Sequence, residues 1–193
     1  MKEKIKLEIK NSINIKEKIL NDDNLIELID LIFEKCYYSL KNNGKIIFCG
    51  NGGSFADSQH LAAEFVSRLR FDRNPLPSLA LGTNSSNLSA IGNDYGYENI
   101  FSRELSVLGN KNDIFVPIST SGNSPNIIKA IKAGKKIGMT VFGLTGKNGG
   151  LMNGLCDYTI IIPSDSTEKI QESHIMIGHI LCYLIESKYF NKI

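Results

Sequence analysis

The chain has 193 residues, with 22 basic and 20 acidic side chains and a formal net charge of +2. This length suits one domain with a substantial core, and no change of composition along the chain suggests a second one. A small, scattered charge provides no field for gripping nucleic acid or an anionic membrane, so neither is expected as a partner. We therefore expect a single domain over residues 1–193.

The cysteines and the N-terminus predict a cytoplasmic location. The sequence spreads its cysteines far apart, at Cys36, Cys49, Cys156 and Cys182, without the paired spacing of a disulfide framework or a zinc knuckle. The N-terminus is charged and lacks the apolar core of a signal peptide, and no apolar run approaches the roughly 18 residues that cross a membrane. We expect reduced thiols in a soluble, cytoplasmic protein.

Two amphipathic helices are predicted before the first strand. In the first, over residues 2–20, isoleucines recur at helical spacing among lysines and glutamates. The second carries an apolar face from Leu25 to Leu40, and Gly44 is expected to end it in the left-handed conformation. Helices placed before a sheet often pack on a partner subunit, but they can equally cover one face of their own sheet. We predict that residues 1–43 take part in subunit packing and leave the second role open.

A short apolar strand, a glycine-rich turn and a helix start follow one another in residues 44–70. The strand, residues 45–49, has the composition of a strand buried on both faces. The glycines after it leave backbone N–H groups open to a ligand, and Ser54 with Asp57 is expected to cap the next helix. The spacing fits neither a dinucleotide fingerprint nor a P-loop. Both a cradle for an anion or sugar and a tight turn without ligand remain open.

A polar loop is predicted between two helices in the middle of the chain. A short strand over residues 78–81 precedes them, and the helices are expected over residues 85–91 and 98–108. Between the helices lies Gly92–Gly96, in which Asp94 either faces a ligand or closes an Asx turn. The sequence leaves these two interpretations open.

The third predicted strand, residues 113–118, runs directly into a loop rich in hydroxyl groups. The side chains that carry these groups are Ser119, Thr120, Ser121 and Ser124. Ser124 is placed as the N-cap and Pro125 as the first residue of the next helix, so the positive end of the helix dipole points toward the loop. Without a lysine or arginine in the loop, the arrangement suits a small sugar phosphate better than a nucleoside triphosphate. An ordinary Ser/Thr turn is the alternative.

Strands and helices alternate through the rest of the chain. The helix from Ser124 is expected to end at Gly138, followed by strands over residues 140–144 and 158–162 and a helix over residues 166–189. This order predicts an α/β fold, a three-layer α-β-α sandwich of the flavodoxin-like type with a parallel sheet of about five strands. Ligands of such sheets bind beyond the carboxyl ends of the strands, where the glycine and serine loops fall.

Titratable side chains on two predicted helices suit a metal ion or acid–base chemistry. His60 and Glu64 are four residues apart and share one helix face, as a metal-binding pair or as a solvated ion pair. Gln171 and His179 are separated by a rise of about 12 Å. They could therefore share one ion only by reaching toward each other or by coming from different subunits.

Taken together, several segments resemble the phosphoheptose isomerases of the sugar isomerase (SIS) domain family. In order, and over nearly the whole chain, they are FCGNGGSFADSQHLAAEF, GNDYGYENIFSRE, ISTSGNSPNIIKAI, LTGKNGG and IQESHIMIGHI. The resemblance implies a homotetramer that converts sedoheptulose 7-phosphate to D-glycero-D-manno-heptose 7-phosphate, for the heptose of lipopolysaccharide or capsule.

The resemblance also implies roles for individual residues. It makes Glu64 and His179 the catalytic pair. It gives one zinc ion per subunit the ligands His60, Glu64, Gln171 and His179. The substrate contacts that it implies are Asn51, Gly52, Gly53, Ser54, Arg68, Asn93, Asp94, Ser119, Thr120, Ser121, Ser124 and Gln171. A departure from the family pattern lies at Glu168, where aspartate is common after a loop one residue longer, so a substrate contact there is left open.

The residue types suit an aldose–ketose isomerase. Moving a carbonyl between C2 and C1 removes a carbon-bound proton, passes through an enediol and transfers protons between oxygens, which a carboxylate and an imidazole can do. We expect Glu64 as base and His179 as acid, although a carboxylate that binds zinc is a weaker base.

Two functions without catalysis compete with this interpretation. A SIS relative that binds the bacterial replication initiator lacks the glutamate and the last histidine, and a sugar-phosphate sensor needs only the serine loop. Because Glu64 and His179 both stand at the isomerase positions, the site favours the enzyme.

Overall fold

The structure is a computed structural model that describes residues 1–192. Its elements are α1 (Lys2–Leu20), α2 (Asp23–Lys41), β1 (Ile46–Gly50), α3 (Gly53–Val66), β2 (Ser78–Ala80), α4 (Ser85–Tyr95), α5 (Ile100–Leu108), β3 (Ile114–Ile118), α6 (Pro125–Ile137), β4 (Thr140–Gly146), β5 (Tyr158–Ile162) and α7 (Thr167–Tyr189). Two short 3-10 helices cover Tyr97–Asn99 and Gly150–Gly154. Within the described residues, no helix is both long enough and apolar enough to cross a membrane.

The strands form one parallel sheet in the order β2-β1-β3-β4-β5. The chain starts at β1, adds β2 on one side and then continues on the other side with β3. The carboxyl ends of β1 and β3 are therefore neighbours, with Gly50 paired to Ile118. Open parallel sheets bind ligands at such a switch point. The glycine loop and the serine loop both begin there.

Helices cover both faces of the sheet. Every residue of β1 and β3 is buried, as expected for strands between two layers. On one face α2, α3 and α7 pack on the sheet, with Ile32, Leu61 and Ile177 buried. On the other face α5 and α6 do so, with Leu105 and Ile131 buried. The predicted three-layer α-β-α sandwich is confirmed.

The two N-terminal helices play different parts. α2 buries an apolar face that includes Leu25 and Ile29 in the core of its own chain. α1 buries only Ile19 and leaves most of its other apolar side chains exposed. α2 therefore covers one face of its own sheet, which is one of the two roles that the sequence left open.

The end of α2 differs from the prediction. The helix ends at Lys41, and the residue in the left-handed conformation is Asn43, with φ of 61°, instead of Gly44. Asparagine tolerates this conformation because its short side chain can hydrogen-bond locally. Gly44 serves close packing instead, since a Cβ there would lie 2.5 Å from the carbonyl oxygen of Asn112.

The prediction of a polar loop at residues 92–96 is also wrong. α4 continues to Tyr95, so Asn93 and Asp94 belong to its last turn, and the chain leaves the helix at Gly96 with φ of 87°. The prediction ended the helix before Gly92 because glycine often marks a helix end, whereas Gly92 lies inside α4. Its penalty inside a helix is only about 1 kcal/mol, which the rest of α4 tolerates.

Candidate functional site

Three of the predicted metal ligands meet between α3 and α7. His60 Nε2 lies 2.8 Å from His179 Nε2 and 3.2 Å from Glu64 Oε1. One ligand atom from each residue lies within 4.8 Å of the other two. We call His60, Glu64 and His179 the α3–α7 triad. One chain supplies the whole triad, so bringing Glu64 and His179 together does not need a second subunit.

A glycine lets the two helices approach closely enough for this contact. Gly178 of α7 faces Leu61 of α3, and a Cβ on Gly178 would lie 2.5 Å from Leu61 Cδ2. Each of these residues is the chain neighbour of a triad histidine. The closeness of α3 and α7 at this point therefore sets the distance between the two imidazoles.

The triad offers a donor set that suits a divalent metal. Two imidazole nitrogens and a carboxylate oxygen, with a further position open to water or substrate, are the ligands that zinc takes in catalytic sites. The His60 side chain is 50% exposed and that of Glu64 is 18% exposed, so a small ligand can reach the group from solvent.

Gln171 of α7, the fourth predicted ligand, extends its amide to the start of α3. Its amide packs on Gly53, where a Cβ would lie 2.5 Å from Gln171 Cδ. It also lies near Asp57, a buried residue whose Oδ2 has no hydrogen-bond partner within residues 1–192. Burial raises the pKa of Asp57 to about 6, and the neighbouring Gln171 and His60 oppose this rise. Gln171 thus faces an acid one helical turn before His60.

Sequence reasoning missed Asp57 as a residue of this site and was wrong to place it with Ser54 in a helix cap. α3 begins at Gly53 with Gly52 as N-cap, at φ of 55°, and no side chain caps it. The start of α3 therefore presents backbone N–H groups to a ligand. The spacing of Asp57, three residues before His60, is the signal that places it on the same helix face.

A pair of asparagines joins the glycine loop to the serine loop. Asn51 Nδ2 donates to Asn126 Oδ1 at 2.9 Å, and Asn126 Nδ2 donates to Asn51 Oδ1 at 2.8 Å. The Tyr97 hydroxyl also donates to Asn51 Oδ1, at 3.2 Å. Asn126 is a buried residue that sequence reasoning did not single out. The pair holds the two loops in one relative position.

The hydroxyl groups of the serine loop converge in front of α6. Ser119 Oγ lies 3.1 Å from Ser124 Oγ and 3.5 Å from Ser121 Oγ. Ser124 is the N-cap of α6, as predicted, but its hydroxyl does not cap the helix, so it stays available together with the first backbone N–H groups. The Thr120 carbonyl accepts from Gly146 N at 3.2 Å, which ties the loop to the end of β4. The result is a group of donors suited to an anion.

The remaining predicted substrate contacts are not linked to the triad. Arg68 is exposed in the segment after α3, and Asn93 donates to the neighbouring Asp94 at 2.7 Å on α4. Glu168 accepts a hydrogen bond from the Ser166 hydroxyl at the start of α7. In the described part of the chain, no hydrogen bond or ion pair joins these side chains to the triad. Their substrate roles stay predictions.

An open cleft of about 510 Å³ borders the triad beside His179. Arg70 and Tyr183 line it, and the Arg70 guanidinium stacks on the Tyr183 ring at 3.6 Å from the centroid. A volume of this size lies within the range of small-molecule sites. The cleft therefore has room for a sugar phosphate next to the imidazole.

Comparisons with known proteins agree with this geometry. The family profile described as "SIS domain" matches residues 9–146. The chain is 55% identical over 190 residues to the phosphoheptose isomerase of Aneurinibacillus thermoaerophilus, covering 98% of this chain and 96% of that protein. It is 50% identical over 192 residues to the phosphoheptose isomerase of Clostridium acetobutylicum, covering 100% and 98%.

Solved structures give the same result. The phosphoheptose isomerase from Francisella tularensis aligns with a TM-score of 0.92 at 34% identity, covering 96% of this chain and 97% of that one. The phosphoheptose isomerase from Neisseria gonorrhoeae aligns with a TM-score of 0.90 at 40% identity, covering 96% and 98%. The chain therefore belongs to the SIS domain family and, within it, to the phosphoheptose isomerases, which makes it an enzyme of the isomerase class.

Proposed function

We propose that this enzyme converts sedoheptulose 7-phosphate to D-glycero-D-manno-heptose 7-phosphate, for the heptose of lipopolysaccharide or capsule. The observation that carries the proposal is the α3–α7 triad, a carboxylate and two imidazoles brought together, of which His179 also lines an open cleft. The serine loop, which follows β3, offers hydroxyl groups suited to an anion. In this proposal the reacting end of the sugar binds at the triad and its phosphate binds at the serine loop.

The proposed reaction is a proton transfer between two carbons. Glu64 takes a proton from C1 of the ketose while His179 gives a proton to the C2 carbonyl oxygen, which produces an enediol. The C1 hydroxyl then loses its proton as C2 gains one, and the aldose forms. No external oxidant or reductant is needed, because C1 is oxidised as C2 is reduced. Ser119, Ser121 and Ser124 bind the phosphate and position the reacting end.

We propose zinc as the metal of this site, held by His60, Glu64 and His179. The mixed nitrogen and oxygen donors fit zinc better than magnesium or calcium, which prefer oxygen. Gln171 can join as a fourth ligand only if its amide turns away from Gly53. When bound, zinc supplies Lewis-acid polarisation of the carbonyl. Glu64 and His179 would then serve both as metal ligands and as the acid–base pair, so metal binding and proton transfer compete for the same two side chains.

We also propose that the enzyme is a homotetramer. α1 exposes a row of isoleucines four residues apart, with Ile5, Ile9 and Ile13 exposed by 56%, 57% and 48%. A contiguous exposed apolar face of this kind is typical of a protein–protein contact. Light scattering is expected to give four chains per particle, and an active monomer would contradict the assembly.

We place the enzyme in the cytoplasm, as the sequence predicts. The four cysteines are all free, and burial raises the pKa of the Cys36 thiol to about 12. A reducing compartment is where proteins keep free thiols of this kind.

The test is a direct assay. Purified protein is incubated with sedoheptulose 7-phosphate, with and without a metal chelator, and the aldose is followed by NMR. We expect conversion that falls when the chelator is present. If folded protein converts nothing in either condition, the enzyme assignment fails, and the protein is a SIS module that binds the replication initiator or senses sugar phosphates.

A further inference from the structure

A buried ion pair connects α7 to the segment that follows α3. Arg73 Nη2 lies 3.5 Å from Glu186 Oε2, and the two side chains are 2% and 1% exposed. In the described part of the chain, no other ion pair has both partners buried to this degree. A buried ion pair adds little net stability compared with apolar residues of the same volume. The role of this pair is therefore inferred from the backbone groups that its two side chains hydrogen-bond.

Arg73 binds the end of the helix that carries the catalytic glutamate. Its Nη2 donates to the backbone carbonyl of Glu64 at 2.7 Å. Its Nη1 donates to the carbonyls of Phe65 at 2.7 Å and Ser67 at 3.0 Å. The last carbonyls of a helix have no partner within the helix. The guanidinium therefore caps the last turn of α3 and holds the backbone of Glu64 itself.

Glu186 binds the chain just beyond that turn. Its Oε2 accepts from Leu69 N at 2.9 Å, and its Oε1 accepts from Arg70 N at 3.1 Å and Phe71 N at 3.2 Å. Three amides and a guanidinium satisfy the buried carboxylate, as its burial requires. Leu69 and Arg70 also line the cleft beside His179.

The pair joins the two halves of the triad. Glu186 follows His179 on α7 by seven residues, which is about two turns and the same helix face. Arg73 holds the turn that carries Glu64. A rigid connection thus runs from His179 along α7 to Glu186, through Arg73, and back to the Glu64 backbone.

We propose that Arg73 and Glu186 are positioning residues, which hold Glu64 opposite His179 and set the geometry of the triad without touching the substrate. This inference rests on the proposed function. Loss of either side chain leaves the donors of the triad in place but loosens their spacing. The chemical step and the binding of a metal should both suffer, while phosphate binding at the serine loop should not.

A second, partly buried ion pair, which makes no contact with the triad, provides a matched control. Lys45 Nζ lies 2.6 Å from Asp113 Oδ2, and Asp113 is 2% exposed. Its carboxylate also accepts from Lys45 N at 3.0 Å and Asn110 N at 2.8 Å. This buried acid, with an ion pair and two backbone amides, lies at the amino ends of β1 and β3. In the described part of the chain, no hydrogen bond or ion pair joins it to the triad or to Arg73 and Glu186.

The test compares Glu186→Gln and Arg73→Lys with Asp113→Asn. We measure kcat, KM and thermal unfolding for each, and the affinity of metal-free protein for Zn²⁺ by calorimetry. For the first two variants we expect kcat to fall by about 10- to 100-fold with KM changed less than about threefold, and Zn²⁺ affinity to fall by about 10- to 100-fold, the usual effect of losing a group that orients metal ligands. Asp113→Asn should lower the unfolding temperature while kcat and Zn²⁺ affinity stay within about twofold.

The outcomes separate the two proposals. A wild-type protein that binds Zn²⁺ but isomerises nothing defeats the proposed function, and the Zn²⁺ affinities of the variants still test the positioning role. If the Glu186 and Arg73 variants keep wild-type kcat and Zn²⁺ affinity, or lose them no more than Asp113→Asn at equal loss of stability, the pair is only structural. Arg73→Lys keeps the positive charge, so it tests the role even if Glu186→Gln does not fold.

Discussion

The serine loop and the α3–α7 triad serve opposite ends of the proposed substrate, and they are built in different ways. The serine loop takes its hydroxyl groups from residues 119–124, at one junction between a strand and a helix. The triad joins residues 119 positions apart in the chain, and it exists only because two helices pack closely. In the proposed function, phosphate binding would therefore depend on a local backbone segment, whereas the chemistry would depend on tertiary packing.

The largest effects are expected inside the triad. Glu64→Gln and His179→Asn should each lower kcat by roughly 100-fold or more, the usual scale for a lost general acid or base, while the fold is retained. Steady-state kinetics and circular dichroism check this. Full activity in either variant would remove that residue from the mechanism. The triad would then not be the part of the molecule that carries out the chemistry.

The contrast also explains what the sequence predicts well. The alternating strands and helices, the N-cap at Ser124 and the pairing of His60 with Glu64 are all local patterns, and the structure contains them. The approach of His179 to that pair depends on the packing of α3 on α7, which spacing along one helix cannot show. The sequence therefore left open whether Glu64 and His179 come from one subunit or from two.

Residues that the sequence analysis missed lie where contacts are distant in the chain. Arg73 and Glu186 are separated by more than a hundred positions, and no local pattern marks either as a partner of the other. Asp57 was placed in a helix cap because a short polar residue after glycines usually plays that part. Its burial against Gln171 shows only in the folded chain.

A buried histidine links α7, the helix that carries His179, to the end of β4. Its protonation should change the free energy of unfolding. His174 of α7 is fully buried, and its Nε2 hydrogen-bonds the carbonyl of Thr145 at the end of β4, at 3.0 Å. Burial lowers its pKa from 6.5 to about 4, although the hydrogen bond opposes this. The folded state therefore resists protonation that the unfolded state accepts.

Because the folded-state pKa lies below the unfolded one, the contribution of His174 is complete above pH 6.5 and is lost as the pH falls toward 4. His174 alone should lower the free energy of unfolding by about 3 kcal/mol across this window, while Asp57, whose pKa burial raises to about 6, acts in the opposite direction. The His174 contribution is therefore the difference between the wild-type protein and a His174 variant. Urea denaturation from pH 7 to pH 4 measures it, and His174→Gln should flatten the slope. A slope that is unchanged in the variant would assign the acid sensitivity to other groups.

The serine loop should affect binding more than turnover. Ser121→Ala removes a hydroxyl near Ser119 Oγ, and losing a hydrogen bond to a charged group costs about 1.5–3 kcal/mol. KM should rise by about 10- to 100-fold with a smaller change in kcat, and sedoheptulose without phosphate should be a very poor substrate. Ser106→Ala, on the exposed side of α5, is the control. Equal turnover of the two sugars would reduce the loop to a simple turn.

The smallest effect is expected where the two helices touch without any chemistry. Gly178→Ala places a methyl group 2.5 Å from Leu61 Cδ2, so α7 must move away from α3 or Leu61 must leave its preferred rotamer. Overpacking of this kind costs about 1–3 kcal/mol of stability. Because the chain neighbours of these residues are His179 and His60, the same shift separates the imidazoles, and kcat should fall by several-fold.

Gly92→Ala is the matched control for Gly178→Ala. Gly92 is also a helical glycine, but a Cβ there meets nothing within 4 Å. Alanine should therefore stabilise α4 by up to about 1 kcal/mol through its higher helix propensity. Thermal unfolding and kcat measured on both variants separate crowding from propensity. If Gly178→Ala loses stability but keeps full kcat, the triad tolerates a change in helix spacing. The expectation that its chemistry depends on close packing of α3 and α7 would then be wrong.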